Sequence, residues 1–177
     1  MQRRVRTVFT ALTLIAASSL ALAGPQFKSF ASKAGAFSVL MPGTPQQQTK
    51  VVDSPAGKLH VHLFVVPLDG GNTAYMASYI DYDPQLIAAA PADKLLDGAR
   101  DGQVSSVKGK LASEKRLKLG RHPGRELRIT LKQGMFIRSR LYLVGNRLYQ
   151  CLVVGKKAVV NSADAGRFFG SFKTTKK

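Results

Sequence analysis

The chain has 177 residues, with 27 Lys and Arg against 10 Asp and Glu, one cysteine and no tryptophan. A single cysteine excludes an internal disulfide. Glutamate occurs only at Glu114 and Glu126, which argues against a glycosidase-type acid pair.

Met1 to Ala23 reads as a secretory signal peptide. Arg3, Arg4 and Arg6 precede an apolar stretch from Val8 to Leu20, and Ala21-Leu22-Ala23 is a small-residue cleavage site. The apolar stretch is short for a membrane span, and no cysteine follows the cleavage site, which disfavours a lipid anchor. The expected organisation is a signal peptide over 1–23, one α+β domain over 24–172 and a loose basic tail over 173–177. Removing the three arginines takes the net charge from +17 to +14. That charge is lopsided: six basic against seven acidic residues from Gly24 to Val107, then eighteen against three from Lys108 to Lys177. Such asymmetry suits an acidic partner or surface; a solvated basic face that aids solubility is the plainer alternative.

Along the chain, Gln26 to Ala36 has little periodicity and reads as a loose lead-in. Phe37 to Met41 is a short strand stopped by Pro42-Gly43-Thr44-Pro45. Gln47 to Asp53 is a second strand, turned by Ser54-Pro55-Ala56-Gly57. Leu59 to Leu68, with Leu59, Val61, Leu63 and Val65 on one face, predicts a central strand. Asp69-Gly70-Gly71-Asn72 returns it into Thr73 to Asp81. Asp83 caps a helix that begins at Pro84, breaks near Pro91 and runs on to Val107. Its predicted buried stripe is Leu95, Leu96, Ala99, Val104 and Val107. Gly98 and Gly102 weaken that helix, implying tight packing or fraying. Leu117 and Leu119 point inward from the next strand, Arg116 and Lys118 outward, and His122-Pro123-Gly124 is the following turn.

Two β-hairpins follow. Gly145-Asn146 is a two-residue turn that pairs Leu143 with Leu148, Leu141 with Gln150, Ser139 with Leu152 and Ile137 with Val154. The reverse face pairs Val144 with Arg147, Tyr142 with Tyr149, Arg140 with Cys151 and Arg138 with Val153. For the preceding turn, burial favours a three-residue loop, Lys132-Gln133-Gly134, with Gly134 left-handed after a type I turn. Leu127, Ile129 and Leu131 then join Ile137 and Leu141 on the apolar face, while Arg128 faces Arg138 and Glu126 faces Arg140. Directly opposed arginines cost up to about 1 kcal/mol unless something negative lies near them. Ser162 caps a last helix whose Phe168 and Phe169, with Phe172 beyond, close the core.

Three constellations among these residues bear on chemistry. His60 and His62 share one strand face and could serve a metal-binding protein or a hydrolase, but no third ligand stands out beyond Asp53 across a turn. Cys151 lies mid-strand among apolar neighbours and reads as a packed thiol. Arg128, Arg138, Arg140 and Arg147 with Tyr142 and Tyr149, adjoined by Arg116 and Lys118, form the candidate anion-contacting face. The competing account has a helix covering the tyrosines while the arginines reach water or Glu126.

Phe37 to Pro45, Arg140 to Tyr149 and Ala163-Asp164-Ala165-Gly166-Arg167-Phe168-Phe169 together resemble an uncharacterised exported bacterial family. The order of elements is similar to the PsbP-like α/β/α sandwich. The resemblance implies an α+β fold: an antiparallel sheet of about six to eight strands, with a central and a C-terminal helix packed on it. It also implies a non-catalytic accessory or binding domain. It supplies no site residues. The expected protein is therefore an exported envelope component, periplasmic or extracellular, with no cofactor and an acidic partner (protein, lipid headgroup or polymer). Nucleic acid is disfavoured by export and by the absence of tryptophan.

Overall fold

The computed structural model describes residues 25–54 and 57–175. Residues 1–24, where a signal peptide is expected over 1–23, the turn residues Pro55 and Ala56 and the last two lysines lie outside them. Among the described residues ten strands and four α-helices follow in order. They are β1 (Lys28–Ser32), β2 (Phe37–Met41), β3 (Gln46–Ser54), β4 (Gly57–Leu68), β5 (Thr73–Asp81), α1 (Pro84–Ala89), α2 (Ala92–Ser106), β6 (Lys110–Leu119), β7 (His122–Thr130), β8 (Met135–Val144), β9 (Arg147–Lys156), α3 (Lys157–Val160), α4 (Ala163–Ser171) and β10 (Lys173–Thr174). Seven strands form one antiparallel sheet in the order β3-β4-β5-β9-β8-β7-β6, and β1-β2-β10 form a second, smaller one. Among the described residues no helix is long and apolar enough to cross a membrane.

The double hairpin adopts the register expected of it. Leu143 faces Leu148 and Arg138 faces Val153 across β8–β9, while Arg128 faces Arg138 and Glu126 faces Arg140 across β7–β8. The loop between Leu131 and Met135, which Leu131 N closes by donating to Met135 O at 2.9 Å, has three residues, but both Gln133 (φ 57°) and Gly134 (φ 66°) are left-handed, so it is not a type I turn ending in glycine. Asp83 caps α1, its carboxylate accepting from Gln85 N at 2.8 Å, and Ser162 caps α4 through Ala165 N.

Both faces of the large sheet are covered. On one, Leu96 of α2 is fully buried against Leu127, Ile129, Ile137, Leu141, Leu148 and Leu152. On the other, β2 and α4 lay Phe37, Val39, Met41, Phe168 and Phe169 on Tyr75, Tyr142, Tyr149, Cys151 and Val153. This aromatic side needs residues read as irregular from sequence. Lys28–Ser32 is a strand on β2, and Lys173 and Thr174 pair with Ser38 and Phe37, so the chain is held at residues where a loose lead-in and tail were expected.

Three further expectations change. β4 is second from the edge, and its buried side chains are Phe64 and Val66, because the small sheet covers the face opposite Leu59 and Leu63. The turn before β7 is Gly120-Arg121, with Gly120 at φ 59°; His122 and Pro123 already pair with Leu119 and Lys118. Gly124 lies within the strand, paired with Leu117 and Tyr142, and must be glycine because a Cβ there would come to 2.7 Å from Tyr142 Cδ1 and 2.8 Å from Leu117 Cδ1.

In α2, a Cβ at Gly98 or Gly102 would meet nothing within 4 Å, so neither glycine marks close packing. Both cost the helix only backbone freedom. Gly98→Ala and Gly102→Ala are each expected to raise stability by about 0.4–1 kcal/mol, read as a higher midpoint in urea. A lowered midpoint would mean that the helix is held by something other than its buried stripe.

Candidate functional site

Alternation along β6, β7 and β8 decides which charges meet. A register shift between Leu111 and Ser113 turns β6 over, so that Leu111 packs on the α2 side and Leu117 on the aromatic side. Lys115 thereby falls opposite Glu126, and Ser113 opposite Arg128. With the β7–β8 register, this places Lys115, Arg128, Arg138 and Arg140 on one face around the single carboxylate of Glu126. The aromatic layer stops at its border. The Phe169 ring lies 4.8 Å from Arg138 Cζ and 5.2 Å from Arg140 Cζ, a cation–π arrangement that also fixes both guanidinium planes.

Glu126 is the hub. Arg138 Nη2 and Arg140 Nε both donate to its Oε2, at 3.1 and 2.7 Å, and Arg128 Nη2 lies 3.8 Å from Oε1. Arg128 Nη1 donates to Asn161 Oδ1. Arg138 Nε is buried without a partner among the described residues. Burial pushes the Glu126 carboxyl upward, but the hydrogen bonds from Arg138 and Arg140 outweigh it and hold it below its ordinary value of 4.5. A depressed carboxyl stabilises the fold fully above its unfolded-state value and loses that contribution as pH falls through the folded-state value. Acid unfolding of the wild type is therefore expected to depend on pH below about 4.5, with that dependence reduced in Glu126→Gln. Identical acid limbs for both proteins would remove Glu126 as the cause.

Of the other residues expected on this face, the two tyrosines share it but lie under its covering layer, and Arg147 is engaged apart from the cluster. Tyr142 is buried and stacks on Phe172 at 5.7 Å, inside the aromatic core. Tyr149 is buried too, its hydroxyl donating to Gly35 O at 2.8 Å. Arg147 is held by Asp81 in a fork of 2.5 and 2.6 Å and lies over Tyr79 at 4.4 Å. It lines a separate open cleft of about 430 Å³ with Ala36, Asp81, Val144, Asn146, Tyr149 and Thr175. β2 and the end of α4 cover both tyrosines, yet Tyr142 stays within hydrogen-bonding reach of Arg140; strand alternation alone cannot see such a layer. Arg116 and Lys118 lie on β6, and Arg116 reaches Asp93 at 3.4 Å.

Two features of the site lie beyond the sequence pattern. Lys115 joins the face only through the β6 irregularity, which leaves no sequence signal. Arg125, on the opposite face, is buried and binds Asp93 (2.5 Å) and Glu114 (2.8 Å), with Asp97 at 3.6 Å. Its phase with Leu127 and Ile129 was the available clue.

His62 accepts or donates a hydrogen bond with Thr49 Oγ1 at 3.1 Å and stacks on Tyr79 at 4.5 Å; His60 is exposed on the same strand. Among the described residues no group of three or more His, Cys, Asp and Glu side chains is gathered to hold a metal ion. Cys151 is fully buried, and burial pushes its thiol well above its ordinary value, which leaves it inert as a nucleophile.

No family model matches the chain, and no curated protein does. The fold is PsbP-like. It is similar to the solution structure of cyanobacterial PsbP from Synechocystis, with a TM-score of 0.58 at 7% identity over 87% of this chain and 95% of that one. A Pseudomonas aeruginosa protein of unknown function aligns with a TM-score of 0.42 at 12% identity, over 79% of this chain and 90% of that one.

Proposed function

We propose that this is an exported, non-catalytic accessory domain of the cell envelope, which engages an acidic component through the open face of β6, β7 and β8. The observation that carries this reading is four cations, Lys115, Arg128, Arg138 and Arg140, sharing one face with one carboxylate. Opposed arginines on a half-open surface favour an anion beside them. The charge split between the two halves of the chain points the same way. The PsbP-like sandwich fits a binding role, and the leader expected at Met1 to Ala23 fits export.

The test is retention on an anionic matrix across a salt gradient. Lys115→Gln with Arg128→Gln removes the two more exposed cations; Lys28→Gln with Lys33→Gln removes the same charge from the first strand and its turn. The first pair is expected to weaken binding about tenfold at low salt, from charges worth up to about 1 kcal/mol each. The second pair should change retention far less. Equal losses from both pairs would reduce the effect to net charge and end the reading.

A further inference from the structure

This inference rests on the reading above and names the group recognised. We infer that the open basic face is a phosphate site, in which Glu126 sits among the donors as a resident competitor for the anion.

The donor geometry carries it. Arg138 and Arg140 converge on the same oxygen, Oε2 of Glu126, while Oε1 has only Arg128 at 3.8 Å. One carboxylate among four cations leaves the cluster at +3. Arg128 and Arg138 directly oppose each other across β7 and β8, Arg138 Nε is buried and unmet, and Lys115 is exposed with no ion pair among the described residues. A carboxylate offers two oxygens in one plane; even with Phe169 O taking Arg140 Nη1 at 3.4 Å and Asn161 Oδ1 taking Arg128 Nη1, Glu126 leaves Arg138 Nε and the Lys115 ammonium unmet among the described residues. A phosphate group carries about −1.5 to −2 charge at neutral pH and offers oxygens in several directions. That matches donors arriving from three neighbouring strands. Guanidinium forks suit such oxygens, and the Phe169 ring keeps two of them oriented before any ligand arrives.

Because Glu126 and an incoming anion share donors, the carboxylate opposes binding while supporting the fold. Removing any carboxylate also raises the net charge by one, so Asp53→Asn, an equal change at exposed Asp53 on the opposite edge of the sheet, is the control and should alter anion affinity far less than Glu126→Gln.

The experiment is calorimetric titration of the signal-cleaved protein with inorganic phosphate at fixed ionic strength, beside acetate and polyglutamate. Wild type is expected to bind phosphate in preference to both carboxylates. Glu126→Gln is expected to bind it about tenfold tighter, and exposed Lys115→Gln several-fold weaker. If Glu126→Gln does not fold by circular dichroism, Glu126→Asp, which draws the carboxylate back by one methylene, should tighten binding by a smaller factor. Unchanged or weaker phosphate binding after removal or retraction of the carboxylate would overturn the competitor role. Polyglutamate binding as well as phosphate would overturn the phosphate site while leaving an acidic partner standing. No binding of any anion would overturn both.

Vesicles containing phosphatidic acid separate the sources. Capture that free phosphate cannot displace assigns the phosphate to a headgroup, and saturable binding of free phosphate without capture assigns it to a small anion. Either result supports the phosphate site.

Discussion

Replacing Phe37 with alanine is expected to lower the unfolding free energy by about 3–5 kcal/mol. The side chain is fully buried where the small sheet meets the large one. Its ring centroid lies 5.6 Å from Phe64, 5.6 Å from Phe172, 6.0 Å from Tyr149 and 6.1 Å from Phe30. These neighbours come from β1, β4, β9 and the end of α4, so a cavity there cannot close by moving one element. Urea denaturation should give a lower midpoint with an unchanged slope. A loss below about 1 kcal/mol would mean that the aromatic layer collapses into the space and is softer than its packing implies.

Arg125→Ala should cost about 1.5–3 kcal/mol, the range for hydrogen bonds to charged groups, because the carboxylates left behind are partly exposed and can rehydrate. The arginine side chain is only 4% exposed, whereas Asp93 is 48% exposed and Glu114 is 23% exposed. Its loss leaves Asp93, Asp97 and Glu114 facing one another across the α2–β6 junction with Arg100 as the main remaining cation. Arg116→Ala makes the comparison. That side chain is 76% exposed and 3.4 Å from Asp93, so its removal should cost less than about 1 kcal/mol. Similar thermal shifts for the two variants would refute the assignment of Arg125 as the bolt between α2 and the sheet.

What could be read from sequence was local. Gly145-Asn146 specified a turn whose length fixed every pairing of β8 with β9. Asp83-Pro84 and Ser162 announced helix starts by their capping chemistry. Burial alone selected the three-residue loop, and with it the meeting of Glu126 with Arg140. What escaped was non-local. Lys28–Ser32 lacks a clean alternation and becomes a strand only because β2 offers it an edge. Tyr142 and Tyr149 were placed on the right face of the sheet, but nothing in their own strands disclosed that Phe37 and Phe172 would lie over them. The arginine cluster was therefore legible as a row, while its boundary at Phe169 was not.

The small sheet also bears on the order of assembly. Leu40 N is tied to Ser171 Oγ, 131 residues away, and β10 completes the side of β2 that β1 leaves unpaired. The entropy of closing so long a loop must be met before these contacts return anything, whereas each hairpin of the large sheet closes locally. Maturation of the aromatic half thus waits on the far end of the polypeptide. Pulse-labelled hydrogen exchange would register this as amides of β2 gaining protection after those of β8 and β9.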